Sequence, residues 1–173
     1  TPEAPLAVTG KTNETGTSVR FKPDPKIFTI TEFNFNTLCK RLRELSFLNK
    51  NIRFELIDER TDEQKTFHSE NGVAGFIEYL NQNKTVIHQK ILHIESEQNH
   101  ITIECALQWN DGYQENVFCF TNNIPQNDGG THLSGFRSAL TRTLNKYIEK
   151  ENLDKKLKTQ ISGEDCREGL VSI

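Results

Sequence analysis

At 173 residues, 34% of them hydrophobic and 26% charged, the chain is long enough to bury a core without disulfide staples. A formal net charge of −3 excludes a generally basic nucleic-acid coat, so any DNA contact has to come from a local patch. No apolar run approaches membrane-spanning length and no charged-then-apolar leader opens the sequence, which predicts a soluble, cytoplasmic chain. The four cysteines, Cys39, Cys105, Cys119 and Cys166, lack any C-x-x-C spacing and read as buried free thiols.

The sequence begins at Thr1 and contains no methionine, and PLAVTG followed by TGTSVRF reads as a hairpin entered without preceding structure, as in a fragment of a longer protein. Val19 and Phe21 alternate with Ser18 and Arg20 as a half-buried strand that Pro23 and Pro25 end. Leu38, Leu42, Leu45 and Leu48 then recur at helical spacing up to a stop at Asn49, Lys50 and Asn51. Ile52, Phe54 and Leu56 alternate as a strand, residues 61–64 form its turn, and residues 65–68 a short return strand. Ser69 caps a second helix built on Val73, Phe76, Ile77 and Leu80, with a domain boundary near Asn71. A strand around residues 90–95 precedes the perfect alternation of Ile101, Ile103, Cys105, Leu107 and Trp109. Asp111-Gly112 predicts a hairpin turn, with residues 115–121 pairing back. A last short helix starts at Ser162, in an S-x-x-D arrangement with Asp165.

The run GGTHLSGFRSALTRTLNKY, residues 129–147, predicts a diglycine turn feeding a helix. At about 100° per residue, Leu133, Phe136, Leu140, Leu144 and Tyr147 share a narrow arc, a stripe committed to a core. Gly129-Gly130-Thr131 could offer backbone N–H groups to a phosphate, but it lacks the lysine of a P-loop, so a tight turn is favoured. His132 has no assignable nucleophile beside it, and His88, His93 and His100 are spaced too irregularly for a zinc site. Lys40, Arg41 and Arg43 beside Glu44 read as a solvated face held by local pairs. Arg137 lies only about 40° from the centre of the apolar stripe, which calls for a snorkelling guanidinium or a salt bridge at the core's edge, or else for a cavity that receives an anion. The residues alone favour the first pair, a snorkelling or salt-bridged cation, over the cavity.

Six strings, TGTSVRFKPD (15–24), RLRELSFLNK (41–50), YLNQNKT (79–85), ALQWNDGYQENV (106–117), GGTHLSGFRSALTRTLN (129–145) and GEDCREGL (163–170), resemble, in that order, the bacterial DNA gyrase B family of type II topoisomerases. The topoisomerase IV ATPase subunit shares the TGT and GGTH elements but is less similar around RLRELSFLN and WNDGYQEN, and is the alternative within the family. The resemblance implies an α+β chain in which residues 1–71 are the C-terminal part of a GHKL-type ATPase α/β sandwich. Residues 72–173 are then the N-terminal part of a transducer of ribosomal-protein-like fold, with a left-handed βαβ crossover that departs from the usual right-handed rule.

By the same resemblance, the parent subunit binds ATP and magnesium, dimerises on ATP, works with the gyrase A subunit and passes DNA through a protein gate. Thr17, in the TGT string, would sit in the adenine pocket where coumarin antibiotics compete. Arg137, in GFR, would line the cavity that receives DNA. The general-base glutamate, magnesium-binding asparagine, adenine-reading aspartate, glycine-rich lid and Q-T-K lysine of the family have no counterpart between Thr1 and Ile173. Lys158-Thr159-Gln160 holds the last motif's residues in reverse and is no substitute. No catalytic residue is therefore assigned to this chain, and the isolated chain is expected not to hydrolyse ATP. Beyond REGL the family continues with further small apolar residues, whereas Val171-Ser172-Ile173 follows directly here, so either residues are missing or the last strand is shortened. A competing expectation from another class is a stand-alone scaffold or nucleic-acid-binding module.

Overall fold

A computed structural model describes the chain except residues 1–3, 6, 14 and 154–160. The chain divides into two compact units, Thr1–Asn34 and Phe35–Ile173. In the first, residues 15–21 do not form the expected strand: no ladder reaches them among the described residues, and Val19 and Phe21 are 78% and 70% exposed. Alternation creates a face, but a strand needs a neighbour for its N–H and C=O groups. Order comes instead from a turn in which the Asp24 carbonyl accepts from the N–H groups of Ile27 and Phe28, and from the edge-to-face contact of Phe21 with Phe33.

The second unit opens with α1 (Phe35–Leu48), and β1 (Phe54–Asp58) pairs antiparallel with β2 (Glu63–Phe67), setting Phe54 opposite Phe67. At the end of β1, the side-chain and backbone hydrogen bonds of Arg60 hold the Asp58 carboxyl down to about 2. α2 (Gly72–Asn81) follows, and Val73, Phe76 and Ile77 are buried as their spacing predicts. Its N-cap is Asn71 rather than Ser69, and no side chain caps it; Ser69 is buried close to Gly75. Phe47 of α1 stacks on Phe76 with ring centroids 4.9 Å apart. Arg43 is not on a solvated face: it lies over the Phe67 and Tyr79 rings and donates to the Tyr79 hydroxyl at 2.8 Å. Arg41 does make the local pair with Glu44 and also donates to the Asn123 carbonyl.

β3 (Leu92–Gln98) and β4 (Ile101–Trp109) form a hairpin whose turn residues Asn99 and His100 both adopt positive φ. Only the far end of β4 is embedded. Ala106, Leu107 and Gln108 are buried, whereas Ile101 and Ile103 are 64% and 60% exposed. The expected hairpin return at Asp111-Gly112 does not form. β5 (Asn116–Val117) pairs instead in parallel with β8 (Leu170–Ser172), and β8 lies antiparallel against β4, giving a sheet of order β3-β4-β8-β5. Between β5 and β8 the chain makes a second small ribbon, β6 (Phe120–Thr121) with β7 (Ile124–Pro125), turning on Asn122 and Asn123 at positive φ. It then runs through α3 (Gly130–Lys150) and the 3₁₀ turn η1 (Asp165–Arg167), completing a βαβ crossover.

α2 covers one face of this sheet, and Val73, Ile77, Ala106 and Val171 close the core, with Leu48, Leu80, Ile91 and Ile173 around them. The small side chain of Ala106 lets the helix approach. The stripe of α3 is not that core. Leu133, Phe136, Leu140 and Leu144 are half-buried, no residue of α3 is fully buried, and Tyr147 is 57% exposed. Periodicity fixed the face of the helix but not the depth of its partner. The diglycine turn is as expected: Gly129 and Gly130 have φ of 75° and 63°, and a Cβ on Gly129 would sit 2.5 Å from Leu133 Cδ2.

Ile77, fully buried, should lose about 2–5 kcal/mol of unfolding free energy as Ile77→Ala in a urea titration. Tyr147→Ala should cost less than about 1 kcal/mol. Equal losses would place the core on α3 instead.

Candidate functional site

The chain around Trp109 is held by side-chain amides rather than by a hairpin. Asn81, Gln108 and Asn110 are all buried: Asn81 Nδ2 donates to Gln108 Oε1 at 2.9 Å, and Asn110 Nδ2 donates to Asn81 Oδ1 at 3.1 Å. Gln108 Nε2 donates onward to the His88 carbonyl, and Asn110 Oδ1 accepts from the Gly112 N–H. Buried amides of this kind are tolerated because each finds a partner. The Trp109 N–H donates to His88 Nε2 at 3.1 Å, so His88 carries its proton on Nδ1, which donates to the Lys90 carbonyl.

The same turn is tied to the end of the chain. Trp109 Nε1 donates to the Cys166 carbonyl at 3.0 Å, and the Asn110 N–H to the Gly169 carbonyl at 3.0 Å. Gly169 has φ of 71°, and a Cβ there would lie 2.3 Å from the Asn110 oxygen, so only glycine fits. Ser162 and Asp165 form the reciprocal box that S-x-x-D predicts: the Ser162 N–H donates to Asp165 Oδ2 at 2.8 Å and the Asp165 N–H to Ser162 Oγ at 3.2 Å. The helix it opens is the single 3₁₀ turn η1.

These constraints shape a cleft of about 550 Å³ lined by Tyr113, Glu115, Arg137, Glu164, Asp165, Arg167 and Glu168. At its centre, Glu115 accepts from Arg137 Nε at 2.7 Å through one oxygen and from Arg167 Nε at 3.2 Å through the other. The Arg137 side chain is 42% exposed, Glu115 23% and Arg167 16%. Of the snorkelling and salt-bridged placements that the residues alone favour for Arg137, the salt bridge is the one present, and it lines a polar cleft. Glu115 and Arg167 were not singled out from the sequence. They lie 22 and 30 positions from Arg137 in the chain, and the one signal for them was their place in the WNDGYQENV and GEDCREGL strings.

Thr17 is exposed on irregular chain in the unit Thr1–Asn34, and Arg137 belongs to the other unit. Lys158, Thr159 and Gln160 lie outside the described residues. His93 pairs with Glu104 at 2.9 Å across the β3–β4 hairpin. Among the described residues no group of three His, Cys, Asp or Glu side chains could hold a metal ion, and no helix is long and apolar enough to cross a membrane. All four cysteines are free; Cys39 and Cys166 are buried, Cys105 and Cys119 half-buried. Burial pushes the thiols of Cys105, Cys119 and Cys166 up, so they remain protonated.

The family model for DNA gyrase B matches residues 72–173, more than half of the chain. The chain belongs to the DNA gyrase B family. Among its relatives, the DNA gyrase B protein of Clostridium acetobutylicum is 48% identical across 98% of this chain and 27% of that protein. The B subunit of DNA topoisomerase 4 from Bacillus subtilis is 46% identical across 99% of this chain and 26% of that protein. In structure, the chain is similar to the 43K ATPase domain of Thermus thermophilus gyrase B, solved in complex with an aminocoumarin. The TM-score is 0.77 with 33% identity, over 88% of this chain and 42% of that one. The α+β architecture expected of the family is the one observed, and the chain spans about a quarter of the length of the Clostridium and Bacillus relatives.

Hydrogen bonds from Ser162 hold the Asp165 carboxyl below its ordinary value of 3.8. With the folded value depressed, the box adds stability above the unfolded pKa and loses it as pH falls through the folded one. Ser162→Ala removes the hydroxyl but keeps the backbone N–H bond, so the Asp165 titration should move up part of the way toward 3.8, read by carboxyl-carbon NMR, with a matching loss from the acid limb. A titration that does not move would show that the box is not formed in solution.

Proposed function

We propose that this chain is the segment of a gyrase B protein in which the end of the nucleotide-binding domain, residues 1–71, leads into the start of the transducer, residues 72–173. The observation that carries the reading is the likeness, in sequence and in fold together, to a gyrase B ATPase domain. The start of the family match at residue 72, where α2 begins, supports the division. In this reading the whole subunit binds ATP with magnesium in the cytoplasm, dimerises on binding it, and works with the gyrase A subunit to pass one DNA segment through another.

This chain supplies little of the ATP chemistry. Thr17 is assigned to the adenine pocket, and it is exposed on irregular chain, while the family's other ATP-handling motifs have no counterpart between Thr1 and Ile173. No phosphoryl-transfer step is assigned to this chain. The contribution assigned to the chain is cationic contact with DNA, and what supports it is that Arg137 on α3 lines the polar cleft with its side chain 42% exposed. The 46% identity to a topoisomerase 4 protein keeps that enzyme as a second reading, separated by whether the reconstituted enzyme introduces negative supercoils or only relaxes and decatenates.

In the full-length subunit, Arg137→Gln should lower DNA-stimulated ATPase and supercoiling several-fold more than it lowers nucleotide binding. Unchanged stimulation together with a lowered Tm would make Arg137 purely structural. The purified 173-residue chain should show no ATP turnover above a boiled control, and sustained turnover would overturn the division of labour.

A further inference from the structure

We infer that Glu115 is an internal stand-in for a DNA phosphate: it presets Arg137 and Arg167 as a two-guanidinium fork and is displaced from them when the duplex arrives. The inference rests on the reading of Arg137 as a DNA-facing residue and adds Arg167 and Glu115 to it.

The geometry is that of an anion site with its anion built in. One carboxylate spans two arginines, using a separate oxygen for each and, among the described bonds, taking one Nε–H from each. A guanidinium carries five N–H donors in a planar fork suited to two-oxygen anions, so the fork that fits a carboxylate also fits a phosphate. The two cations arrive from opposite ends of the crossover, Arg137 from α3 and Arg167 from η1. Without an anion between them they would repel. Thr141 on α3 and Arg167 both lie within about van der Waals reach of Gly163, where an added Cβ would sit 3.0 Å from Arg167 Nη1. Arg167 is thus held by packing, and it does not depend on Glu115 alone for its position.

The two arms differ in burial: the Arg137 side chain is the solvated one, while Arg167 and Glu115 are 16% and 23% exposed, so exchange begins at Arg137. With Arg137 at 42% exposure, the Arg137–Glu115 bond belongs with partly solvated ion pairs, whose net worth is small. A backbone phosphodiester carries one negative charge, as the carboxylate does, so the drive for exchange is the release of counterions condensed on the duplex. The carboxylates of Glu164, Asp165 and Glu168 around the fork oppose the phosphate, so the contact is one that DNA can leave. A transient contact suits a segment that has to pass through.

The test uses the full-length subunit and a linear duplex, with binding followed by fluorescence anisotropy between about 50 and 200 mM salt. Glu115→Gln should bind about two- to fivefold tighter, the gain expected when a partly exposed competing carboxylate is neutralised. Arg167→Gln should bind more weakly and reduce the salt slope by about one phosphate contact. Unchanged or weaker binding by folded Glu115→Gln overturns the inference. Should that variant fail to fold, Arg167→Gln decides, since wild-type affinity and salt slope would overturn it equally. Arg137→Gln separates the two levels: if it binds as wild type, the DNA-facing reading has failed, whereas weaker binding without tightening by Glu115→Gln removes the stand-in role alone.

Discussion

Three residues, Leu170, Val171 and Ser172, hold the larger unit together. All three are buried, and they form a strand bonded on both sides, antiparallel to β4 and parallel to β5. Strands this short do not persist alone, because they bury too little and satisfy too few backbone groups. β8 persists because it is central: the amides of Ala106 and Ile173 exchange hydrogen bonds across it, and the Phe118 N–H reaches the Ser172 carbonyl from the other side. Val171 simultaneously completes the core with Val73, Ile77 and Ala106.

The site follows from that insertion. Had β5 folded straight back on β4, Glu115 would stand in a hairpin and the segment carrying Arg167 would have no place beside it. With β8 between them, the chain has to leave through α3 and return through η1, bringing Arg137 and Arg167 to the same carboxylate. Gly169 makes the return possible by passing within a few ångströms of the Asn110 carbonyl in a conformation open to glycine. The buried amides of Asn81, Gln108 and Asn110 then fix the turn that carries Tyr113 and Glu115. A polar network of this kind, fully paired, specifies one arrangement where an apolar core would accept several.

The elements readable from the sequence were those with a long internal period. α1, α2, β4 and α3 each carry enough repeats for their pattern to name helix or strand, and the Ser162–Asp165 box was visible from its spacing. Partners were not readable in the same way. The pairing of β5 with β8 joins residues more than 50 positions apart through two- and three-residue strands, too short for any period. Leu133, Phe136 and Leu140 showed which side of α3 is apolar, while the depth of burial depended on what that side meets. Residues 15–21 show the converse, a clear alternation without a ladder among the described residues. Of the candidate site, Arg137 was legible as an awkward charge on an apolar arc. Glu115 and Arg167 were not, because an ion pair between distant segments leaves no local mark.

Native-state hydrogen exchange of the Ala106, Phe118 and Ile173 amides tests the central role of β8 most directly, since each donates across one of its edges or its end. If β8 locks β4 and β5 together, the three amides exchange with one common opening free energy, and destabilising substitutions move them together. Phe118 exchanging as fast as the amides of the exposed β3–β4 turn, while Ala106 stays protected, would contradict the account. In that event β5 is not anchored by β8.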